Sequence, residues 1–193
     1  MNRRQISTQI LLNSQQHSEI LFGNRIPKDF FITTGIGESD ITIHAGSYHL
    51  ALKEAGIEMC NIITYSSILP KIATGIQKPK ELVHGSVMET ICAVANSTKG
   101  EIATAGIIFG ILHDRKTGER YGGLVCEYNG HDEEPTAADS LRLSLNELYT
   151  NGYSERFELK DIKLTMRSFV PKKKYGTALI ALCFTNYQVP ILN

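Results

Sequence analysis

The sequence predicts a sheet-rich α+β domain with its elements in the order β-α-β-β-β-β-α-β-β. Three observations carry that prediction. About seven stretches alternate apolar and polar residues, or run apolar over strand length. Only two stretches repeat apolar residues every three or four positions over the length of a helix. The chain has 193 residues, 42% of them hydrophobic, which suits one domain whose core needs no metal or disulfide. Two helices cannot clothe both faces of a doubly wound parallel sheet, so a layered α+β arrangement is expected.

Residues 1–26 are polar apart from Leu11, Leu12, Ile20, Leu21 and Phe22, and read as an N-terminal arm preceding a domain over 27–193. Phe30 to Thr34 is aromatic and β-branched, a strand predicted to stop at a loop formed by Gly35-Ile36-Gly37. Ala45, Tyr48, Ala51, Leu52 and Ala55 follow helical spacing, and Gly56 stands where a helix ends with positive φ. Strands are then expected at Cys60–Thr64, Val87–Val94, Glu101–Leu112 and Tyr121–Tyr128, the last two joined as a hairpin through Lys116 to Glu119. Leu141, Leu145 and Leu148 place a helix over Ala137–Tyr149 before Asn151-Gly152, and Phe157–Phe169 and Tyr175–Tyr187 close the chain as paired strands.

Composition excludes several functions. Twenty Lys and Arg balance twenty Asp and Glu, so the basic excess of a nucleic-acid binder is missing. No apolar run reaches membrane-spanning length and no export signal is legible, so a cytoplasmic chain is expected with Cys60, Cys92, Cys126 and Cys183 as reduced, buried thiols. Six histidines form no His-x3-His pair and no metal triad with a carboxylate, so no metal site is predicted. Gly35 to Asp40 follows a strand as a dinucleotide loop does, yet Asp40 replaces the third glycine and the carboxylates would repel a pyrophosphate; a tight turn or substrate-lining loop is left. Lys172-Lys173-Lys174 reads as a solvated turn, and there is no Gly-x-Ser-x-Gly elbow.

Asn61 to Pro70 is the informative stretch. Ser66 and Ser67 sit side by side at the end of an apolar strand closed by Pro70. One reading is a plain strand-to-loop junction. The other is self-cleavage, in which the Ser67 hydroxyl attacks the Ser66 carbonyl and residue 67 ends as a pyruvoyl group, with Asn61 as a donor to the developing oxyanion.

Through Thr34 to Asp40, Asn61 to Pro70 with its Ser66-Ser67 pair, Lys80 to Glu89 around His84-Gly85, Gly122 to Tyr128, and Lys172 to Phe184, the chain resembles the pyruvoyl-dependent arginine decarboxylases, particularly their bacterial branch, from about Pro27 to Tyr187. The resemblance implies a proenzyme cut between Ser66 and Ser67 into a β chain, 1–66, and an α chain, 67–193. It implies a four-layer αββα sandwich assembled as a homotrimer or a dimer of trimers, with active sites between subunits. It also implies a covalent pyruvoyl cofactor made from Ser67, an electron sink for an amino-acid substrate.

The family's proton donor maps onto Glu127, in an apolar setting that suits an acid. The carboxylate that faces the substrate guanidinium maps onto His49, near Leu52; a neutral imidazole cannot form the bidentate pair that a guanidinium rewards. Glu38 or Asp40 would compensate, or the substrate is another amino acid. Arginine to agmatine is the leading expectation. A non-catalytic oligomeric homologue acting as a binding subunit is the rival, and retention of both Ser66-Ser67 and Glu127 argues against it.

Overall fold

The computed structural model describes residues 21–41 and 44–192, so the N-terminal arm read over 1–26 lies outside the described residues as far as Ile20. Contacts divide the chain into a body, Pro27–Tyr187, and a smaller unit of the two chain ends. Within that smaller unit Leu21–Phe22 pairs antiparallel with Ile191–Leu192.

The body contains β1 (Asp29–Ser39), α1 (His44–Ala55), β2 (Asn61–Thr64), β3 (Ile68–Leu69), β4 (Thr74–Gly75), β5 (Val87–Thr98), β6 (Ala103–Asp114), β7 (Arg120–Gly130), α2 (Glu134–Gly152), β8 (Phe157–Phe169) and β9 (Tyr175–Phe184). They form two sheets, one five-stranded in the order β2-β5-β9-β1-β4, the other four-stranded in the order β8-β6-β7-β3. Strand alternation sorts the core. On β9, Ala178, Ile180 and Leu182 meet Ile107, Phe109 and Val125 of the second sheet, while Leu179, Ala181 and Cys183 face Ala51, Leu52 and Ala55 of α1. Leu141 and Leu145 of α2 cover Ile108, Leu112, Leu124 and Cys126 on the far side. The body is thus an α+β sandwich of four layers, helix, sheet, sheet, helix. Among the described residues no helix is long and apolar enough to cross a membrane.

The predicted glycine loop does not exist: β1 runs without a break through Gly35 and Gly37. The glycines serve close packing instead, because a Cβ on Gly35 would lie 2.9 Å from the Ala55 nitrogen and one on Gly37 would lie 2.5 Å from the Ala51 nitrogen. The absent side chains let α1 lie against the strand. The second helix is also longer than its leucines mark, because Pro135 occupies its first turn, where a missing N–H costs nothing.

Candidate active site

The chain enters the site from β2, which pairs in parallel with β5 from Asn61↔Val87 to Thr64↔Thr90. Tyr65 is the last residue held there, its N–H donating to Thr90 O at 2.7 Å. The Tyr65 ring packs 5.9 Å from that of Phe184 between the sheets. Two residues later the chain belongs to the other sheet. Ser67 O accepts the Val125 N–H at 3.0 Å, and Ile68 and Leu69 pair antiparallel with Leu124 and Gly123 of β7. The Ser66–Ser67 peptide therefore spans the gap between the sheets, anchored on each side. The paired glycines before Leu124 permit this approach, since a Cβ on Gly122 would meet Leu69 O at 2.8 Å and one on Gly123 would meet the Leu69 Cβ at 3.1 Å.

Ser67 is half-buried and its hydroxyl donates to Glu127, with Oγ 2.8 Å from both Oε1 and Oε2. The hydroxyl thus points between the two oxygens, within hydrogen-bond reach of either. The Ser66 carbonyl accepts the Ile68 N–H at 2.9 Å, a tight turn centred on Ser67. A hydroxyl, a carboxylate that accepts its hydrogen bond and an N–H on the preceding carbonyl are thus already together. The sequence assigned that donor to Asn61, but the Asn61 amide donates to Gly85 O at 2.9 Å instead. The Ile68 N–H was not foreseen, because a backbone group leaves no trace in residue identity.

A cavity of about 460 Å³ opens beside these groups, lined by Ser66, Ser67, Ile68, the β7 residues Leu124 to Glu127, and Leu148 and Tyr153 at the end of α2. Leu148, which helical spacing placed on this helix, is 47% exposed at the cavity. The thiols around Glu127 are held protonated: burial, and then the Glu127 charge, push Cys92 up to about 12 and Cys126 up to about 11. Neither is a reactive thiolate at neutral pH.

The remaining candidates lie elsewhere in the same chain. Glu38 accepts the backbone N–H groups of Lys172 and Lys173 at 2.7 and 3.2 Å, and Asp40 accepts that of Lys174 at 3.0 Å, so both carboxylates secure the lysine turn. Glu38 pairs with Gly176, whereas the row leading to Thr64 crosses β1 at Phe31, about 23 Å back along the strand at 3.3 Å per residue. His49 is exposed on α1, on the outer face of the five-stranded sheet, and Leu52 is buried beneath that helix. None of the four shares the Ser67 cavity of its own chain.

The family model of pyruvoyl-dependent arginine decarboxylase matches residues 29–189. The chain belongs to this family. It is 32% identical over 191 residues to the pyruvoyl-dependent arginine decarboxylase AaxB of Chlamydia muridarum, covering 86% of this chain and 95% of that one, and equally similar to AaxB of Chlamydia pneumoniae. The pyruvoyl-dependent arginine decarboxylase 2 of Archaeoglobus fulgidus is 27% identical over 163 residues, covering 82% and 97%. The decarboxylases of this family depend on a covalently bound pyruvoyl group, so the chain is an enzyme of the carbon-carbon lyase class.

Proposed function

We propose that the chain cuts itself between Ser66 and Ser67 and that the two-chain product decarboxylates L-arginine to agmatine and carbon dioxide. The observation that carries the reading is the 2.8 Å contact of Ser67 Oγ with both Glu127 oxygens, beside a Ser66 carbonyl that already accepts an N–H.

In the first stage Ser67 Oγ passes its proton to Glu127 and attacks the Ser66 carbonyl carbon. A C–O bond forms, the C–N bond breaks, and the freed Ser67 nitrogen takes the proton back. The Ile68 N–H stabilises the charge gathering on the Ser66 oxygen. Loss of the Ser67 α-proton then releases the Ser66 carboxylate, and hydrolysis with loss of ammonia leaves the pyruvoyl group at position 67. The residues fit that group. Residue 67 stays moored through its carbonyl to Val125, and the cavity beside it carries one carboxyl, Glu127.

Once formed, the group supplies an electron sink for the pair released as carbon dioxide departs. Ser67 no longer offers a hydroxyl proton, and the Glu127 carboxyl is free to hold the proton that the substrate α-carbon receives. Ile68, Leu124 and Leu148 give the cavity apolar walls against the aliphatic stem of arginine. The guanidinium needs a partner that these walls lack. The reading therefore includes a homotrimer, or a dimer of trimers, in which α1 of a neighbouring copy brings position 49 to the Ser67 cavity, where His49 gives the guanidinium a weaker contact than the family's carboxylate would.

The test is an intact-mass spectrum joined to an assay of carbon dioxide release across a panel of amino acids. Two fragments divided at Ser66–Ser67, arginine as the best substrate, and an uncut, inactive Ser67→Ala variant are expected. A single species of 21.4 kDa that releases no carbon dioxide from arginine refutes the reading.

A further inference from the structure

We propose that a second cavity, at the open edges of the two sheets, is a binding site for a small carboxylate with a compact apolar body. It measures about 560 Å³, within the range of small-molecule pockets, and shares no lining residue with the Ser67 cavity. Its floor is apolar. Phe30 and Phe109 meet edge to face there with centroids 6.0 Å apart, beside Ile111 and Ala73.

Its charge comes from Arg120, Lys163 and Asp161, and two irregularities of the four-stranded sheet bring them there. Between β6 and β7 the register slips, so that Leu112 pairs with Gly122 and His113 with Arg120, leaving Tyr121 without a partner. The slip reverses the alternation: Tyr121 stacks on Phe157 at 4.3 Å, and Arg120 lines the cavity. Between β6 and β8, Asp161 and Ile162 together oppose Gly110 before pairing resumes at Lys163↔Phe109. Asp161 adopts φ 51°, the one positive φ outside glycine among the described residues. Strain of that kind persists where the surroundings over-determine it, which is common at binding sites. The Arg120 Nε is buried and has no hydrogen-bond partner among the described residues.

A guanidinium and an ammonium, set against one carboxylate, leave a net positive rim above an aromatic floor. A carboxylate satisfies the guanidinium through paired hydrogen bonds, and the floor takes the apolar body. Asp161 adds a distinction between a plain acid and an amino acid, since it accepts an ammonium group. The shared chemistry is the carboxylate on an apolar body, and the test separates the two sources.

Calorimetric titration of the purified protein with 3-phenylpropanoate, L-phenylalanine and phenethylamine decides the matter. At least one of the two carboxylates should bind, one per chain, and the amine without a carboxylate should not. Lys163→Gln and Arg120→Gln should each weaken binding roughly ten- to a hundredfold, the scale of a lost charge-assisted hydrogen bond. Asp161→Asn should weaken phenylalanine alone. Lys163 is exposed, so its variant keeps the test open should Arg120→Gln melt early. Ser66–Ser67 processing at the wild-type rate serves as the folding control for both. The proposal falls if neither carboxylate binds, if the amine binds as well as they do, or if the folded Lys163 variant binds like the wild type.

Discussion

Replacing Glu127 by glutamine perturbs one step of self-cleavage while conserving shape. Ser67 Oγ rests 2.8 Å from each Glu127 oxygen. An amide still accepts that hydroxyl hydrogen bond, now as a neutral bond of about 0.5–1.5 kcal/mol rather than a charged one of about 1.5–3 kcal/mol, so the ground state loses roughly 1 kcal/mol. The larger effect is kinetic, because an amide oxygen cannot take the proton as the C–O bond forms. Loss of a positioned base costs about 10²–10⁴ in rate, which is roughly 2.7–5.5 kcal/mol on the barrier.

Fresh precursor of Glu127→Gln, followed by denaturing gel against the wild type, should therefore cut at least a hundredfold more slowly. Glu127→Asp withdraws the carboxylate by about 1.5 Å, one carbon-carbon bond, and should fall between the two. Whatever Glu127→Gln eventually processes should then decarboxylate with kcat lowered about 10²-fold or more, for want of the acid. Processing of the glutamine variant at the wild-type rate would show that the Ser67–Glu127 hydrogen bond is not the path of the proton.

Three other outcomes test separate parts of the argument. His49→Asp should lower KM for arginine roughly ten- to a hundredfold if a neighbouring copy brings position 49 to the guanidinium, and an unchanged KM would place residue 49 outside the site. Gly37→Ala drives a Cβ into the α1 backbone, within 2.5 Å of the Ala51 nitrogen, and should cost about 1–3 kcal/mol or more in a denaturant melt; wild-type stability would mean that α1 shifts freely on β1. The Cys126 thiol, pushed up to about 11 by burial and the Glu127 charge, stays protonated below that pH. At pH 8 its thiolate fraction is on the order of 10⁻³, against about a quarter for an ordinary thiol, so alkylation of the folded chain should be slow until pH approaches 11.

What the sequence made legible follows from what side-chain patterns record. The Leu141–Leu145 spacing and the alternation read along Tyr175 to Tyr187 each point to an element the structure contains, although the helix extends over Glu134–Gly152 and the strand ends at Phe184. Gly35 and Gly37 misled because glycine marks a turn and a close helix-strand contact alike, and only the position of α1 distinguishes the two. Ser66, Ser67 and Glu127 were legible through their motifs, and the structure brings Ser67 and Glu127 into contact across 60 residues of chain. The Ile68 N–H and the register slips that aim Arg120 and Lys163 were not legible, since backbone direction is set by pairing between strands distant in sequence.

The position of Ser66–Ser67 also explains how the fold would tolerate the proposed cut there. Cleavage would give a fragment 1–66 holding β1, α1 and β2, and a fragment 67–193 holding every other element of the body. In the sheet order β2-β5-β9-β1-β4 the strands of the first fragment do not form a block. β1 lies between β9 and β4, and pairs with β9 from Phe30↔Phe184 to Ser39↔Tyr175, while β2 takes the outer edge of β5. Separating the fragments would strip β1 from both neighbours and expose the apolar layers on each of its faces, so association survives the loss of one covalent bond. The new ends are held as well. Tyr65 keeps its bond to β5 on one side, and residue 67 keeps its carbonyl on Val125 on the other. A peptide that bridges two sheets, each of which retains its own anchor, can break without releasing the group that the break creates.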